Sequence, residues 1–433
     1  MSYKVSVVVP IYNASRYLRE CLDSLRVQTL DGIQVILVND GSTDDSLTVA
    51  QEYLKANKDW KIIDQENHGY GHAVNTGIAS AEGAFISIVE PDDYIDANML
   101  ERLYTVAERD HLDIVSANYK KFYDYGNERK VNCQRVFGDD ALYNKILNVR
   151  SNKGLIKGLF INPAGLFSKA FLDNSGIIHN ETPGAAFQDR GFFFLTTVMA
   201  QRVMVIDDAF YNYRQDNPNS SIASRDDIDK VLTEYGSTLD KLIKAGEWTK
   251  DFFGEFFKRE FGSCIFSLSR ADDSVKLATI KKISNEFCKY HEMGILDASE
   301  LPYNQKDQME LIMDNPDGVY ESILSLRVEL AEKLKGVDTF VIYGTGVIGK
   351  RVFENLDLEV LKKLAGFTVS NVSGQVMEYK GYPVKCIDEY IGNNAHLAVV
   401  VAVTYRYRNE ICELLEEKGF SNIIIPKSMA ADI

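Results

Sequence analysis

Apolar and polar positions come in alternating blocks along the first 118 residues. Val5–Pro10 reads as the apolar run of a strand buried on both faces. Tyr17, Leu18, Cys21, Leu22 and Leu25 then recur at helical spacing. Val35–Val38 predicts a second strand, and Ser42-Thr43-Asp44-Asp45 reads as a capping box, opening a helix with Leu47, Ala50 and Leu54 inward. Ile62–Ile63 predicts a short strand. A loop containing Gly69 and Gly71 leads into a helix over about 72–81. Ala84–Val89, Met99–Ala107 and Ile114–Ala117 follow as strand, helix and strand. This alternation predicts an α/β class with a parallel sheet and covering helices.

The pattern weakens over 119–222, where Tyr, Phe, Asn and Gly are common, predicting loops and short elements. Residues 223–336 predict a mostly helical region. There Phe252, Phe253, Phe256, Phe257, Phe261 and Phe266 fall near i, i+4 spacing. The stripe fits a helix-bundle core, with contact to a membrane or lipid-linked acceptor as the second reading. At Thr339 the alternation restarts: strands at Phe340–Tyr343, Leu397–Val403 and Ile423–Ile425 predict a small Rossmann-like α/β domain over 337–433. The expected organisation is therefore 1–222, 223–336 and 337–433.

A chain of 433 residues exceeds one ordinary core, in keeping with several domains. The formal net charge of −15 argues against general nucleic-acid binding, which needs a basic face. Phosphorylated substrates stay open, because a metal supplies positive charge locally. Six scattered cysteines without a Cys-x-x-Cys pair read as reduced thiols of a cytosolic protein. The N-terminus runs directly into a strand, so no signal peptide is expected. No apolar run approaches membrane-spanning length, which leaves attachment to a membrane surface open.

Chemistry concentrates where predicted strands end. Tyr12 and Asn13 close the first strand and Asp40 the second, while Glu90-Pro91-Asp92-Asp93 closes a later one. In open α/β sheets ligands bind beyond the carboxyl ends of strands, so these acids are candidates for one crevice. Asp-Gly alone is an ordinary turn. Val-Val-Val-Pro-Ile-Tyr-Asn ahead of Asn-Asp-Gly-Ser-Thr-Asp-Asp, followed by the second acid cluster, resembles family 2 glycosyltransferases, which have the GT-A nucleotide-diphospho-sugar transferase fold.

The resemblance covers about 1–222 and implies roles. Pro10, Tyr12 and Asn13 would line the nucleotide pocket. Asp40 would accept a hydrogen bond from uracil. Asn67, Gly69 and Asn75 match an Asn-x-Gly…Asn segment beside the nucleotide. Asp92 and Asp93, with Glu90, match the acidic DXD-type motif holding Mn²⁺ or Mg²⁺ against the diphosphate, Asp92 also being a candidate for the ribose. Two positions depart from the pattern: Glu90 replaces the usual first Asp, and Val74 replaces an Arg. Asp189, in a Gln-Asp segment, matches the catalytic base of inverting transfer, and Phe187, Phe192 and Phe193 would wall it and raise its pKa. Arg214 in Tyr211-Asn-Tyr-Arg, with Ser220-Ser221, matches a later segment and could pair with diphosphate oxygens. These residues also have plainer readings: Asp40 as a turn residue, Asp92 and Asp93 as helix caps, Asp189 as an ion pair with Arg190, and Arg214 as a surface salt bridge. His68 and His72 read as loop packing.

Gly344-x-Gly346-x-x-Gly349 follows a strand and opens a helix, the context a phosphate-binding turn needs. Where a dinucleotide site places an acid, Ser370-Asn371 stands instead. The module resembles Rossmann-like domains beside sugar-modifying enzymes, including the N-terminal part of sugar acetyltransferases. Nucleotide binding, docking and oligomerisation remain open for it.

The resulting expectation is a metal-dependent, inverting transferase. It would move a hexose or N-acetylhexosamine from a UDP-sugar to a hydroxyl of a glycan or lipid-linked glycan in the cytoplasm, with a place at the inner face of the membrane left open. The rivals are a non-catalytic nucleotide-sugar binding or scaffold protein and a sugar nucleotidyltransferase.

Overall fold

The computed structural model describes residues 3–125, 128–185, 187–218, 228–356, 358–371, 378–392, 396–403 and 405–426. They form two compact units, Met1–Phe256 and Phe257–Ile433.

In the first unit the order is β1 (Val5–Ile11), α1 (Ser15–Arg26), β2 (Ile33–Asp40), α2 (Ser46–Leu54), β3 (Trp60–Gln65), α3 (Tyr70–Ala79), β4 (Phe85–Ile88), β5 (Tyr94–Ile95) and α4 (Met99–Arg109). Then come β6 (Ile114–Tyr125), β7 (Glu128–Gln134), β8 (Gly165–Ser168), α5 (Lys169–Ser175), α6 (Gln188–Met199), β9 (Val203–Arg214) and α7 (Ile228–Ala245). The sheet order is β3-β2-β1-β4-β8-β6-β9-β5, with β7 on β6. β1, β2, β3 and β4 are mutually parallel. β8 runs antiparallel between β4 and β6, so the sheet is mixed.

β1 is buried along its whole length because helices cover both faces, which is why its residues read as one apolar run. α1 turns Leu18, Cys21, Leu22 and Leu25 inward. The capping box at 42–45 does not form. α2 starts at Ser46, and Asp44 accepts from the backbone N–H of Ser46 at 2.9 Å and of Ser15 at 3.0 Å. Asp44 thus ties the two strand-end loops together instead of closing a helix turn.

The stretch 119–222 holds more regular structure than its pattern predicts. β6 and β9 are twelve-residue strands paired in parallel, with register shifts near Asn118. Those shifts and the scattered Asn and Lys on the two strands break the alternation on which a sequence reading depends.

The second unit opens on helices: α8 (Phe253–Arg270, beginning just before the division), α9 (Asp273–Glu292), α10 (Tyr303–Asp314) and α11 (Pro316–Lys333). Phe252, Phe253, Phe256, Phe257 and Phe261 are buried, so the stripe is core; Phe266 is 41% exposed. A second sheet follows, with β10 (Thr339–Tyr343), α12 (Val347–Glu354), α13 (Leu358–Leu361), β11 (Leu364–Val369), β12 (Glu378–Tyr379), β13 (Tyr382–Cys386), β14 (Leu397–Val401), α14 (Tyr405–Glu417) and β15 (Ile423–Ile424). Its order is β12-β13-β11-β10-β14-β15, parallel except for β12. The six cysteines are free thiols. Among the described residues no helix is long and apolar enough to cross a membrane.

Candidate functional site

β2, β1 and β4 lie side by side in one direction. Their carboxyl ends therefore bring Tyr12–Asn13, Asp40–Thr43 and Glu90–Asp93 to one edge of the sheet. Pro10 is buried inside β1, while Tyr12 is 53% exposed beyond its end. Asn13 adopts a left-handed φ of 49°. Its Oδ1 accepts from the Thr43 N–H at 2.8 Å and the Asp44 N–H at 3.3 Å, pinning the β1 loop to the β2 loop.

Asp40 is buried, and its carboxylate folds the Gly-rich loop. Oδ1 accepts from Gln65 Nε2 at 2.7 Å and the His68 N–H at 3.0 Å, and Oδ2 accepts from the Gly69 N–H at 2.9 Å. A carboxylate offers about four lone-pair positions, so one remains for a further donor. Asn67 is exposed on this loop, and its backbone N lies only 2.8 Å from where a Cβ on Gly41 would sit. Gly69 has φ 93°, and a side chain there would strike the backbone of Thr182 and Gly184. The His68 and His72 rings lie 4.7 Å apart, with Gln65 Nε2 3.0 Å from His72 Nδ1.

Asn75 faces protein. Its amide donates to the His179 carbonyl at 2.9 Å and accepts from the His179 N–H at 3.0 Å. It holds the segment leading to α6. His179 itself is fully buried, stacked on Phe192 with ring centroids 3.9 Å apart. Burial pushes its pKa down to about 3, so the ring is neutral.

The acid cluster divides by role. Asp93 is 1% exposed and both its oxygens are committed, Oδ2 to the Tyr211 hydroxyl at 2.5 Å and Oδ1 to the Arg214 N–H at 2.7 Å. Burial and the Asp92 charge raise its pKa well above the usual range. Glu90 is half-buried and accepts from the Tyr70 hydroxyl at 2.7 Å. Desolvation first, then Asp92 and Asp189, push its pKa up to about 8, with the Tyr70 bond opposing. Asp92 accepts from Asn217 at 2.8 Å through Oδ2. Among the described residues its Oδ1 makes no hydrogen bond.

The three acids do not converge on one point, and among the described residues no group of three His, Cys, Asp or Glu side chains is set to hold a metal. The donor set still suits a hard cation, which takes oxygen ligands, keeps water and accepts substrate phosphates. Asp92, with Glu90 beside it, fits that use. Asp93 does not, because β9 already occupies it.

Arg214 is 4% exposed, and its donors are engaged. Nη2 reaches Glu20 at 2.5 Å, Nη1 reaches Asp124 at 2.9 Å and Asp216 at 3.3 Å, and Nε donates to the Asp92 carbonyl at 2.9 Å. The structure therefore places it as a brace behind Asp92, not facing a diphosphate. Ser220 and Ser221 lie outside the described residues.

Asp189 sits in the first turn of α6, exposed rather than walled by phenylalanines. Phe192 packs on His179, and Phe193 lies 5.1 Å from Phe160. Among the described residues no ion pair joins Asp189 to Arg190, whose guanidinium lies over the Phe187 ring. The Asp189 charge acts on Glu90, Tyr70 and Tyr213, which puts it electrostatically within the same crevice.

Sequence reasoning found the acids and the Tyr211 segment, but not Tyr70, Glu20 and Asp124, nor the bond of Tyr211 to Asp93. Tyr70 had one readable signal, its place directly after Gly69. The others gain their role only from three-dimensional neighbours.

Residues 6–172 match the family model described as glycosyl transferase family 2. This part of the chain is a glycosyltransferase family 2 domain. It is 34% identical over 218 residues to the uncharacterized glycosyltransferase EpsJ of Bacillus subtilis, spanning 50% of this chain and 62% of that protein. It is 29% identical over 305 residues to the glycosyltransferase GlyG of Streptococcus pneumoniae, spanning 68% of this chain and 91% of that protein. Of EpsJ and the related EpsH, the chain spans 62% and 66% of the length. Among solved structures, S. aureus TarS 1–349 in complex with UDP-GlcNAc superposes with a TM-score of 0.60 at 18% identity, covering 77% of this chain and 93% of that one. That likeness establishes the GT-A type of fold for the family 2 domain.

In the second unit, Gly344 (φ 114°) and Gly349 make close backbone approaches, to Ala402 O and Gly344 O respectively, that a side chain would obstruct. A Cβ at Gly346 would meet only open space. A cleft of about 400 Å³ opens there, lined by Thr345, Gly346, Ser370, Asn371 and Tyr407 among others. It lies at the carboxyl ends of β10, β11 and β14, where the strand order departs in opposite directions from β10.

Proposed function

We propose that the first unit transfers a hexose or N-acetylhexosamine from a UDP-sugar to a hydroxyl of a glycan or lipid-linked glycan, with inversion at the anomeric carbon. The observation that carries this is the meeting of the Asp40 loop, the Glu90–Asp92 carboxylates and the α6 terminus at one strand edge in a family 2 fold. The UDP and UDP-GlcNAc complexes of the TarS structures support the donor class.

In this reading the remaining lone pair of Asp40 accepts the ring N–H of uracil, and Tyr12 and Asn13 border the base. Asn67 and Gly69 flank the nucleotide through their backbone. Asp92, assisted by Glu90, holds a divalent cation, Mn²⁺ or Mg²⁺, which when bound supplies Lewis-acid neutralisation of the leaving diphosphate. Asp189 takes the proton from the acceptor hydroxyl as that oxygen attacks. The α6 terminus and Tyr70 hold the base and Glu90 at fixed places, so the acceptor is oriented before reaction. A peripheral position at the cytoplasmic face of a membrane suits a lipid-linked acceptor. For the second unit we propose an accessory role, with Gly344, Gly346 and Gly349 opening a phosphate-accepting cleft.

The test is a donor screen. UDP release is measured from common UDP-sugars with an acceptor mixture, with and without Mn²⁺. Cation-dependent release from one donor supports the reading. No release from any donor overturns it and favours a non-catalytic nucleotide-sugar binding protein.

A further inference from the structure

The segment between His179 and α6 is fixed from outside the matched family 2 region by one buried acid on α7. α7 forms because Ile228, Val231, Tyr235, Leu239 and Leu242 recur at helical spacing and are buried. Glu234 lies on the same buried side and is 1% exposed. Its carboxylate accepts from two side chains of the segment: Oε2 from Asn180 Nδ2 at 2.7 Å, and Oε1 from the Thr182 hydroxyl. Asn180 is held again by Ser237 at 2.9 Å and Lys241 at 2.8 Å, both on α7.

The Thr182 hydroxyl has a second partner. It accepts from Gln188 Nε2 at 2.9 Å, and the same amide lies near the carbonyls of Thr182 (3.4 Å) and Gly184 (3.3 Å). Gln188 is buried and is the first residue of α6. The Thr182 hydroxyl and the Thr182 and Gly184 carbonyls all accept from it, so a donor is required at that place. The next residue is Asp189. A continuous relay therefore runs from Glu234 through Thr182 and Gln188 to the backbone turn that carries Asp189. Gly184 closes the other side, accepting from the Tyr70 N–H at 2.9 Å.

We propose that Glu234 is a positioning residue for transfer, setting the place of the Asp189 carboxylate through Thr182 and Gln188 while making no contact with donor or acceptor. This rests on the reading of Asp189 as the base. The charge on Glu234 matters as well as its shape. It offers two acceptor oxygens to two donors, and Gln at that position offers one acceptor and places an amide donor against Asn180 or Thr182. Misplacing a reacting group by about 1 Å can cost up to 10²-fold in rate, so loss of the relay lowers kcat and leaves nucleotide affinity in place.

The experiment is a double-mutant cycle on the full chain with Glu234→Gln and Asp189→Asn, reading kcat, KM for the donor and UDP affinity. Glu234→Gln is expected to lower kcat about tenfold, with donor KM and UDP affinity changed less than about twofold. In the Asp189→Asn background it should have almost no further effect. Thr182→Val should reproduce the loss and Thr182→Ser restore it, which separates the relay from general damage to the fold. If Asp189→Asn collapses turnover but the Glu234→Gln loss is absent, or is equally large in both backgrounds, the relay is overturned and the base assignment stands. If Asp189→Asn leaves turnover intact, the base assignment itself falls. Equal losses of UDP affinity and kcat in Glu234→Gln would also overturn the relay, since a purely structural role would produce them.

Discussion

Arg214 at the end of β9 and Glu20 on α1 are 194 positions apart in the chain and meet at 2.5 Å. The guanidinium lies between the Tyr17 and Phe122 rings, 4.4 and 4.5 Å from their centroids. Its fork takes three carboxylates while its Nε holds the Asp92 carbonyl. Removing the Arg214 cation leaves Glu20, Asp124 and Asp216 around a vacated space, with Arg129 still paired to Glu20 at 2.7 Å and Asp124 at 2.6 Å. Breaking a buried ion pair from one side costs about 3–5 kcal/mol, and these acids are partly solvated, so Arg214→Ala should cost about 2–3 kcal/mol. Lys cannot reproduce the planar fork, so Arg214→Lys should fall between. Thermal unfolding checks both; a parent-like melting temperature in Arg214→Ala would refute the brace.

Asp92 and Asp93 are neighbours with opposite expected phenotypes. Asp93→Ala strands a buried tyrosine hydroxyl and a buried backbone N–H, each costing about 1–3 kcal/mol, so it should lower the melting temperature sharply. Asp92→Ala removes one partner of Asn217 near the rim and should leave stability within about 1 kcal/mol of the parent. It should nonetheless abolish cation-dependent UDP release. The paired measurements are a melting curve and a UDP-release assay on each variant, and the reverse pattern would exchange their roles.

The parallel half of the first sheet was readable because β1, β2 and β4 are buried on both faces, and Val, Ile and Leu then stand in runs that need no partner to interpret. β9 was not. Val203-Met-Val-Ile is apolar, but Asp207-Asp208 interrupts it, and its pairing with β6 shifts register where Asn118 sits. The site divides in the same way. Asp40 and Asp92 stood out because a strand ran straight into them. Asn75, Arg214 and Glu234 have roles set by what faces them across gaps of 104, 194 and 52 residues, and no local pattern encodes such a partner. The failed capping box at 42–45 makes the same point: Asp44 had a better offer from the Ser15 N–H.

Glu260 gives the second unit a distinctive pH response. It is fully buried on α8, accepts from the Tyr290 hydroxyl at 3.0 Å, and its Oε2 is without a partner among the described residues. Desolvation pushes its pKa up to about 8 from an ordinary 4.5. Between those values the folded protein keeps a proton that the unfolded chain has released. Its contribution to stability is therefore fully present below about pH 4.5, declines as pH rises, and is lost above about pH 8. Glu260→Gln keeps the shape without the titration. Its melting temperature relative to the parent should rise between about pH 5 and about pH 8 and level off above that. Parallel curves for the two proteins over that range would sink the assignment.

Gly71 is the point at which α3 meets the segment leading to α6. A Cβ there would lie 1.8 Å from the Asn180 carbonyl oxygen, which is backbone and cannot swing aside as a side chain would. Asn75, one turn further along α3, already fixes His179 by two hydrogen bonds, so the segment cannot retreat without breaking them. Gly71→Ala must therefore displace Asn180 and loosen both its own contact with Glu234 and that of Thr182. The Asp40 loop lies on the other side of Gly69 and keeps its three bonds to the carboxylate. The expected outcome is a turnover at least about tenfold lower with UDP affinity close to the parent, read by isothermal titration and UDP release on the same preparation. If UDP affinity falls as far as turnover, the nucleotide loop and the α6 segment move as one body, and the separation between donor binding and base placement does not hold.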